Sequence, residues 1–310
     1  LALMGLYLAG ELYFSFHYPA VFALTQEMFP KKWYVKINSV MEIQGQTAGM
    51  LAGGLAGILV QHWGLANILW VDAGTYLVSF ILYGFLKYQH TARPEERERK
   101  VTFLSDVQEG WAYLKVRPRM IIFFLATFIP FLVVLVTNYL FPVFVAHTLH
   151  ASATVFATYE VIFAAGAVCA GTFVGLLNNR LGLKKVLVLN ASLFTLAIFL
   201  IAFIPSVAVF LALQAVLGWG NAGIRINRKT LMMEEVPNRL IGRVNSFYAS
   251  VGIAIRVTLI GSFTLSVSHT GASFSVLILG IILVLAVASI VVSRNFSGVK
   301  LAQKPEGKAL

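Results

Sequence analysis

Two stretches, LTQEMFPKKWYVKINSVMEIQGQTAGMLAGGLAGILVQHWG (residues 24–64) and LMMEEVPNRLIGRVNSFYASVGIAIRVTLIGSFTLSVSHTG (residues 231–271), align without a gap at a shift of 207 residues. Leu24, Glu27, Pro30, Asn38, Ser39, Gly45, Gly54, Val60, His62 and Gly64 meet Leu231, Glu234, Pro237, Asn245, Ser246, Gly252, Gly261, Val267, His269 and Gly271. Repeats of this kind mark membrane bundles built from a duplicated unit. The pairing therefore points to two related halves.

Composition agrees, since 58% of residues are hydrophobic, 12% are charged and the mean hydropathy is +0.80. Such a chain is an all-α integral membrane protein. Crossing a hydrocarbon core of about 30 Å takes about 20 residues of helix at about 1.5 Å each. Nine apolar runs qualify: 1–23, 37–60, 65–86, 120–145, 151–177, 186–204, 207–231, 244–267 and 274–292. A transmembrane barrel would show short alternating segments instead.

Basic residues test this layout, because cytoplasmic loops hold an excess of lysine and arginine. Lys31, Lys32 and Lys36 follow the first run, and residues 87–119 follow the third. Arg180, Lys184 and Lys185 follow the fifth, and 225–243 flank the end of the seventh. The alternate connections 61–64, 146–152, 205–206 and 268–271 contain neither residue type. Of 24 basic residues only Arg256 reads as lying deep in a run. The net charge of +11 thus expresses membrane orientation, with a cytoplasmic C-terminus, and gives no sign of nucleic-acid binding.

The chain opens inside an apolar run with no initiator methionine, so the sequence predicts a missing start. The repeat places that start roughly 88 residues before Leu1, room for about three spans. Nine spans then become the remainder of an expected twelve in two six-helix halves. The predicted organisation is a partial N-terminal half (1–87), a cytoplasmic linker with an amphipathic helix (88–119), a C-terminal six-helix half (120–293) and a cytoplasmic tail (294–310). Thr102 is the expected cap of the linker helix, with Phe103, Val107, Trp111 and Leu114 on a face suited to the headgroup region.

Cys169 is the single cysteine, and the six histidines form no zinc-hydrolase pattern. No GxxxxGK[ST] loop occurs, so ATP-driven pumping and membrane hydrolysis lack their motifs. No enzyme activity, metal or other cofactor is expected.

GLLNNRLGLKK (residues 175–185) is similar to the loop motif GxLxDRxGRK of the major facilitator superfamily, carried here by Gly175, Arg180, Gly182 and Lys184. It departs at Asn179 and Leu183. GQTAGMLAGG (residues 45–54) resembles the family's antiporter motif GxxxGPxxGG through Gly45, Gly49, Gly53 and Gly54, with Met50 in place of proline. Glycines at this spacing leave a bare stripe that lets a neighbouring backbone approach. The turns at 27–39 and 235–246 resemble those after the family's fourth and tenth helices. Together these features resemble bacterial exporters of the macrolide-efflux and enterobactin-exporter branch.

The resemblance implies a multi-pass protein of the bacterial inner membrane, acting as a single chain on small molecules by alternating access. Charges within spans are costly, about 2.5–3.5 kcal/mol each on insertion scales, and call for roles. Glu11 and Glu160 lie on helices that border the family's cavity, and a carboxylate in apolar surroundings can exchange protons near neutral pH. Arg256 stands opposite Gly49 in the repeat, where a substrate site would break the symmetry. Asp72 and Glu42 read as peripheral, Glu42 within reach of Lys36. Asn138, Tyr139, Gln214, Trp219 and Asn221 are further candidates to line a pathway, and the glycines around Trp219 suggest a bending helix. The expectation is proton-coupled efflux of amphipathic small molecules. The alternatives are a gradient-driven uptake carrier, or a non-transporting protein such as the inactive remnant of a truncated gene.

Overall fold

In a computed structural model of the chain, residues 2–85 and 103–295 are described, and their regular structure is entirely helical. The helices are α1 (Ala2–Met28), α2 (Tyr34–Gly84), α3 (Phe103–Lys115), α4 (Pro118–His147), α5 (Ala153–Leu181), α6 (Leu183–Phe203), α7 (Val207–Glu235), α8 (Asn238–Thr270) and α9 (Ala272–Ser293). Leu1, residues 86–102 with the expected cap Thr102, and residues 296–310 of the expected tail lie outside the described residues.

The duplication is visible in backbone torsions. Gly64 divides α2 into two arms at φ 74°, ψ 157°. Its repeat partner Gly271 separates α8 from α9 at φ 78°, ψ 159°. Only glycine adopts this region without steric cost, so both reversals need it. Pro30 and Pro237 occupy equivalent breaks, between α1 and a short 3-10 turn (Lys31–Trp33) and between α7 and α8.

The helical membrane class stands, but the count of nine spans is corrected. Among the described residues seven stretches are long and apolar enough to cross a bilayer: Gln61–Gly84 in α2, and all or most of each helix from α4 to α9. The two remaining runs are also helical.

Helices α4 to α9 form the packed core. Between α5 and α7 the backbones nearly touch: a Cβ on Gly218 would collide with the Phe163 carbonyl, and one on Gly166 with that of Ala215. Small residues permit such contact, which replaces the hydrophobic driving force that lipid cannot supply. Across α5 and α7, Asn178 and Asn227 exchange amide hydrogen bonds of 2.7 and 3.0 Å. The rings of Phe141, Tyr159 and Phe210 meet edge to face at centroid distances of 5.2 to 5.9 Å. Each such pair contributes about 0.5–1.5 kcal/mol beyond its area.

Among the described residues, a Cβ on Gly45 or Gly49 would meet nothing within 4 Å; the surroundings of Gly53 and Gly54 lie outside the described residues. The approach of α2 to α5 is made instead at Gly171, where a Cβ would stand 2.5 Å from Ile43 Cγ1. Helix α7 is not broken at Gly218 and Gly220, since it runs continuously from Val207 to Glu235. Cys169 is exposed.

Helix α3 docks on α8. Glu109 accepts hydrogen bonds from Arg239 and from Arg243, the latter at 2.7 Å, and the Trp111 ring lies 5.7 Å from that of Phe247. Leu114 is fully buried, so protein covers this part of the apolar face of α3. The Tyr113 hydroxyl donates to the Glu235 carbonyl at 3.0 Å. Burial raises the pKa of that hydroxyl, with the Arg117 guanidinium opposing, so it remains a donor.

The N-terminal helices join this core at one end, the end that carries Lys31, Lys32 and Lys36. Gln26 Nε2 donates to the carbonyls of Met233 (2.7 Å) and Val236 (2.8 Å), and Asn38 Nδ2 donates to Thr230 Oγ1 (3.1 Å). Met233 is the repeat partner of Gln26, so the halves meet across their own pseudo-symmetry. Toward the opposite end α1 and the second arm of α2 are exposed, Phe16 at 71% and Trp70 at 78%.

Gly218→Val should destabilise the core by about 1–3 kcal/mol through overpacking, while Gly45→Ala is neutral; thermal unfolding in detergent measures both. Gln26→Leu strips two buried carbonyls of their donor, a cost of about 1–3 kcal/mol. Amide exchange should then rise around residues 26–40 and 228–240 and stay unchanged within α5.

Candidate functional site

A cavity of about 650 Å³ lies between the first arm of α2 and helices α4, α5 and α7. One stripe of α7, Gln214, Leu217, Asn221 and Arg225, faces it at spacings of three and four residues. Helix rise puts Arg225 about 16 Å deeper than Gln214. Asn138 of α4, Glu160 of α5 and Gln46 and Gly49 of α2 complete the polar lining, among the rings of Phe131, Phe141, Phe156, Tyr159, Phe163 and Phe194.

Two of the amides are unsatisfied by protein. Gln214 is 1% and Asn221 2% exposed, yet Gln214 Nε2 and Asn221 Oδ1 have no hydrogen-bond partner. Buried polar side chains are nearly always paired, so these two atoms are exceptions beside the cavity.

At the deep end charges gather. Arg225 approaches Glu42 Oε1 at 3.4 Å and lies 5.0 Å over the Phe131 ring. Gln46 Nε2 donates to the same carboxylate oxygen at 3.0 Å. Arg228 is 8% exposed and sits 4.4 Å over the Phe128 ring, and Lys229 is half-buried beside it. This corrects two expectations. Arg256 is not alone as a basic residue deep in a span, and Glu42 reaches Arg225 rather than Lys36, which lies 4.7 Å over Trp33.

Of the expected pathway residues, the structure brings Glu160, Asn138, Gln214, Asn221 and Gly49 to the cavity. Glu160 and Asn138 are exposed within it. Arg256 is half-buried on α8 and outside the lining, opposite its supposed counterpart only in sequence. Trp219 turns away: its indole N–H donates to Asn190 Oδ1 at 3.1 Å, which packs α7 on α6. Tyr139 is exposed, as is Asp72 on the second arm of α2. Glu11 lies on α1, and its side chain is outside the described residues. In the loop motif, Gly182 takes φ 84° between α5 and α6, Arg180 is exposed, Lys184 is half-buried, and Gly175 has Val35 within ordinary contact.

Arg225 and Glu42 are the members of the site that sequence reasoning missed. Residues 225–243 read as a basic flank because positive charge marks a loop. The contrary signal was the spacing of Arg225, Arg228 and Lys229, one face of a helix that had not yet ended.

Comparison with known proteins agrees with this architecture. The family model of the Major Facilitator Superfamily matches residues 2–144 and 123–308. Multidrug resistance protein MdtG of Salmonella dublin is 24% identical over 228 residues, covering 70% of this chain and 53% of that protein. The Salmonella arizonae protein of the same name matches to the same extent. The chain thus spans about half the length of these relatives. Among solved structures, a bacterial homologue of the iron transporter ferroportin in an outward-facing state aligns at TM-score 0.71 and 17% identity, covering 87% of this chain and 66% of that one. The same protein soaked with iron aligns at TM-score 0.67 and 18% identity, with coverages of 88% and 66%. With two overlapping matches to the family model, a duplicated helical fold and a cavity between its parts, the chain belongs to the Major Facilitator Superfamily.

Proposed function

We propose that the protein is a secondary active transporter that moves amphipathic small molecules out of the cell in exchange for protons. The observation that carries this reading is the cavity itself. It combines aromatic walls with a few fixed polar groups, the lining expected of a site for drug-sized molecules. It is also closed at the basic end by contacts between α1, α2 and α7 that two packed bodies can make and break. Rocking of one half against the other would then expose the cavity alternately to the two sides.

Supporting the cargo class and direction, the relatives from Salmonella are named multidrug resistance proteins. Family membership favours transport over catalysis, and a single chain in the bacterial inner membrane, its C-terminus cytoplasmic, suffices for it. The halves 1–87 and 120–293, joined by 88–119 and followed by the tail 294–310, are the proposed moving parts. Proton coupling is assigned to Glu11 and Glu160, because carboxylates on helices bordering an apolar cavity are where a proton would be held.

Proteoliposomes loaded with a fluorescent amphipathic cargo and given an imposed proton gradient test the reading. Cargo should move against the direction of proton flow, and collapse of the gradient should stop it. Glu11→Gln should lower proton-driven movement about tenfold or more with membrane insertion intact. Movement with the protons identifies an uptake carrier, and unchanged efflux in Glu11→Gln removes Glu11 from coupling.

A further inference from the structure

Charge at the deep end of the cavity is unbalanced. Arg225, Arg228 and Lys229 share one face of α7, and among the described residues Glu42 is the carboxylate paired with them. That pairing is loose. Its closest approach of 3.4 Å exceeds the roughly 2.7–2.9 Å of a charge-assisted hydrogen bond. Glu42 Oε1 also accepts from Gln46, and the Arg225 side chain, 26% exposed, is part of the cavity lining. The Phe131 ring beneath holds the fork in place.

The second charged group of the lining, Glu160, is far from this floor. It stands seven residues into α5, Arg225 eighteen residues into α7, and both helices start from the same end of the bundle. Helix rise separates them by about 16 Å in depth. Gln214 stands at the level of Glu160 and Asn221 between the two levels on the same stripe, with Gln214 Nε2 and Asn221 Oδ1 buried without partners.

We infer that the cavity receives an organic anion whose carboxylate, phosphonate or sulfonate is taken by Arg225 in place of Glu42. Its apolar body lies against Phe131 and Phe141. The assignment of this anion as cargo rests on the transport reading; its binding does not. Exchange at Arg225 also frees Glu42, which belongs to α2, from α7, so occupancy loosens the contact that closes the basic end.

The test uses the full chain in phosphatidylcholine nanodiscs and three dansyl probes of similar size: dansylglycine, dansylglycinamide and N-(2-aminoethyl)dansylamide. The anionic probe should bind about tenfold or more tightly than the neutral and cationic ones, with a preference that weakens as salt is added. Glu42→Gln should strengthen dansylglycine binding by removing its competitor. Arg225→Gln alone would strand Glu42 in the interior, so the decisive variant is Glu42→Gln with Arg225→Gln, which should keep its thermal midpoint and lose the preference. Equal binding of the three probes, or a preference that survives in the double variant, overturns the inference. So does loss of dansylglycine binding in phosphatidylglycerol discs, which assigns the anion site to a lipid phosphate. Efflux of another cargo without anion preference leaves transport standing and the anion site refuted; anion preference without gradient-driven movement does the reverse.

Discussion

Carbonyl groups in the last turn of a helix have no partner within that helix, and where that turn is buried in protein water does not supply one. At the end of α7 the carbonyl of Met233, and that of Val236 just beyond it, are met by one side chain, Gln26, reaching from the other half. Because Gln26 and Met233 are repeat partners, this bond lies where the two units face each other across their pseudo-symmetry. The other joints follow from it. Asn38 can reach Thr230 and Glu42 can reach Arg225 only while the ends of α1 and α2 are held against α7. With that end closed, the cavity between the same helices remains toward the other.

Duplication explains the frame and divergence explains the site. Gly64 and Gly271 share their backbone torsions, and Pro30 and Pro237 break the chain at matching points. Such positions are restricted by sterics, so both copies keep the same residue types. The side chains that face the cavity are under no such constraint. Gln214, Asn221 and Arg225 correspond by the shift of 207 to Tyr7, Phe14 and Tyr18 of α1. A symmetric scaffold thus carries an asymmetric cavity with its basic groups on one wall.

Helix positions were legible in the sequence because each helix depends on its own residues: apolar length, and a proline or a glycine at most breaks. The repeat was legible for the same reason. Contacts between helices were not. Gly45 and Gly49 match a motif yet face open space, whereas Gly166, Gly171 and Gly218, which match none, carry the close approaches. Spacing tells which residues share a face, but not which helix that face will meet. Arg225 shows the limit from the other side. Its charge marked it as loop, although Phe131 and Glu42 make a half-buried guanidinium tolerable.

The central claim is that the halves are joined at the basic end through Gln26 and Met233 and are apart at the other. Cysteine cross-linking reads this directly, in a Cys169→Ser background with a short bismaleimide and no imposed gradient. The pair Gln26→Cys with Met233→Cys should cross-link rapidly, and the pair Gln61→Cys with Ala151→Cys, at the opposite end, slowly or not at all. Rapid cross-linking of the second pair with none in the first would contradict the account.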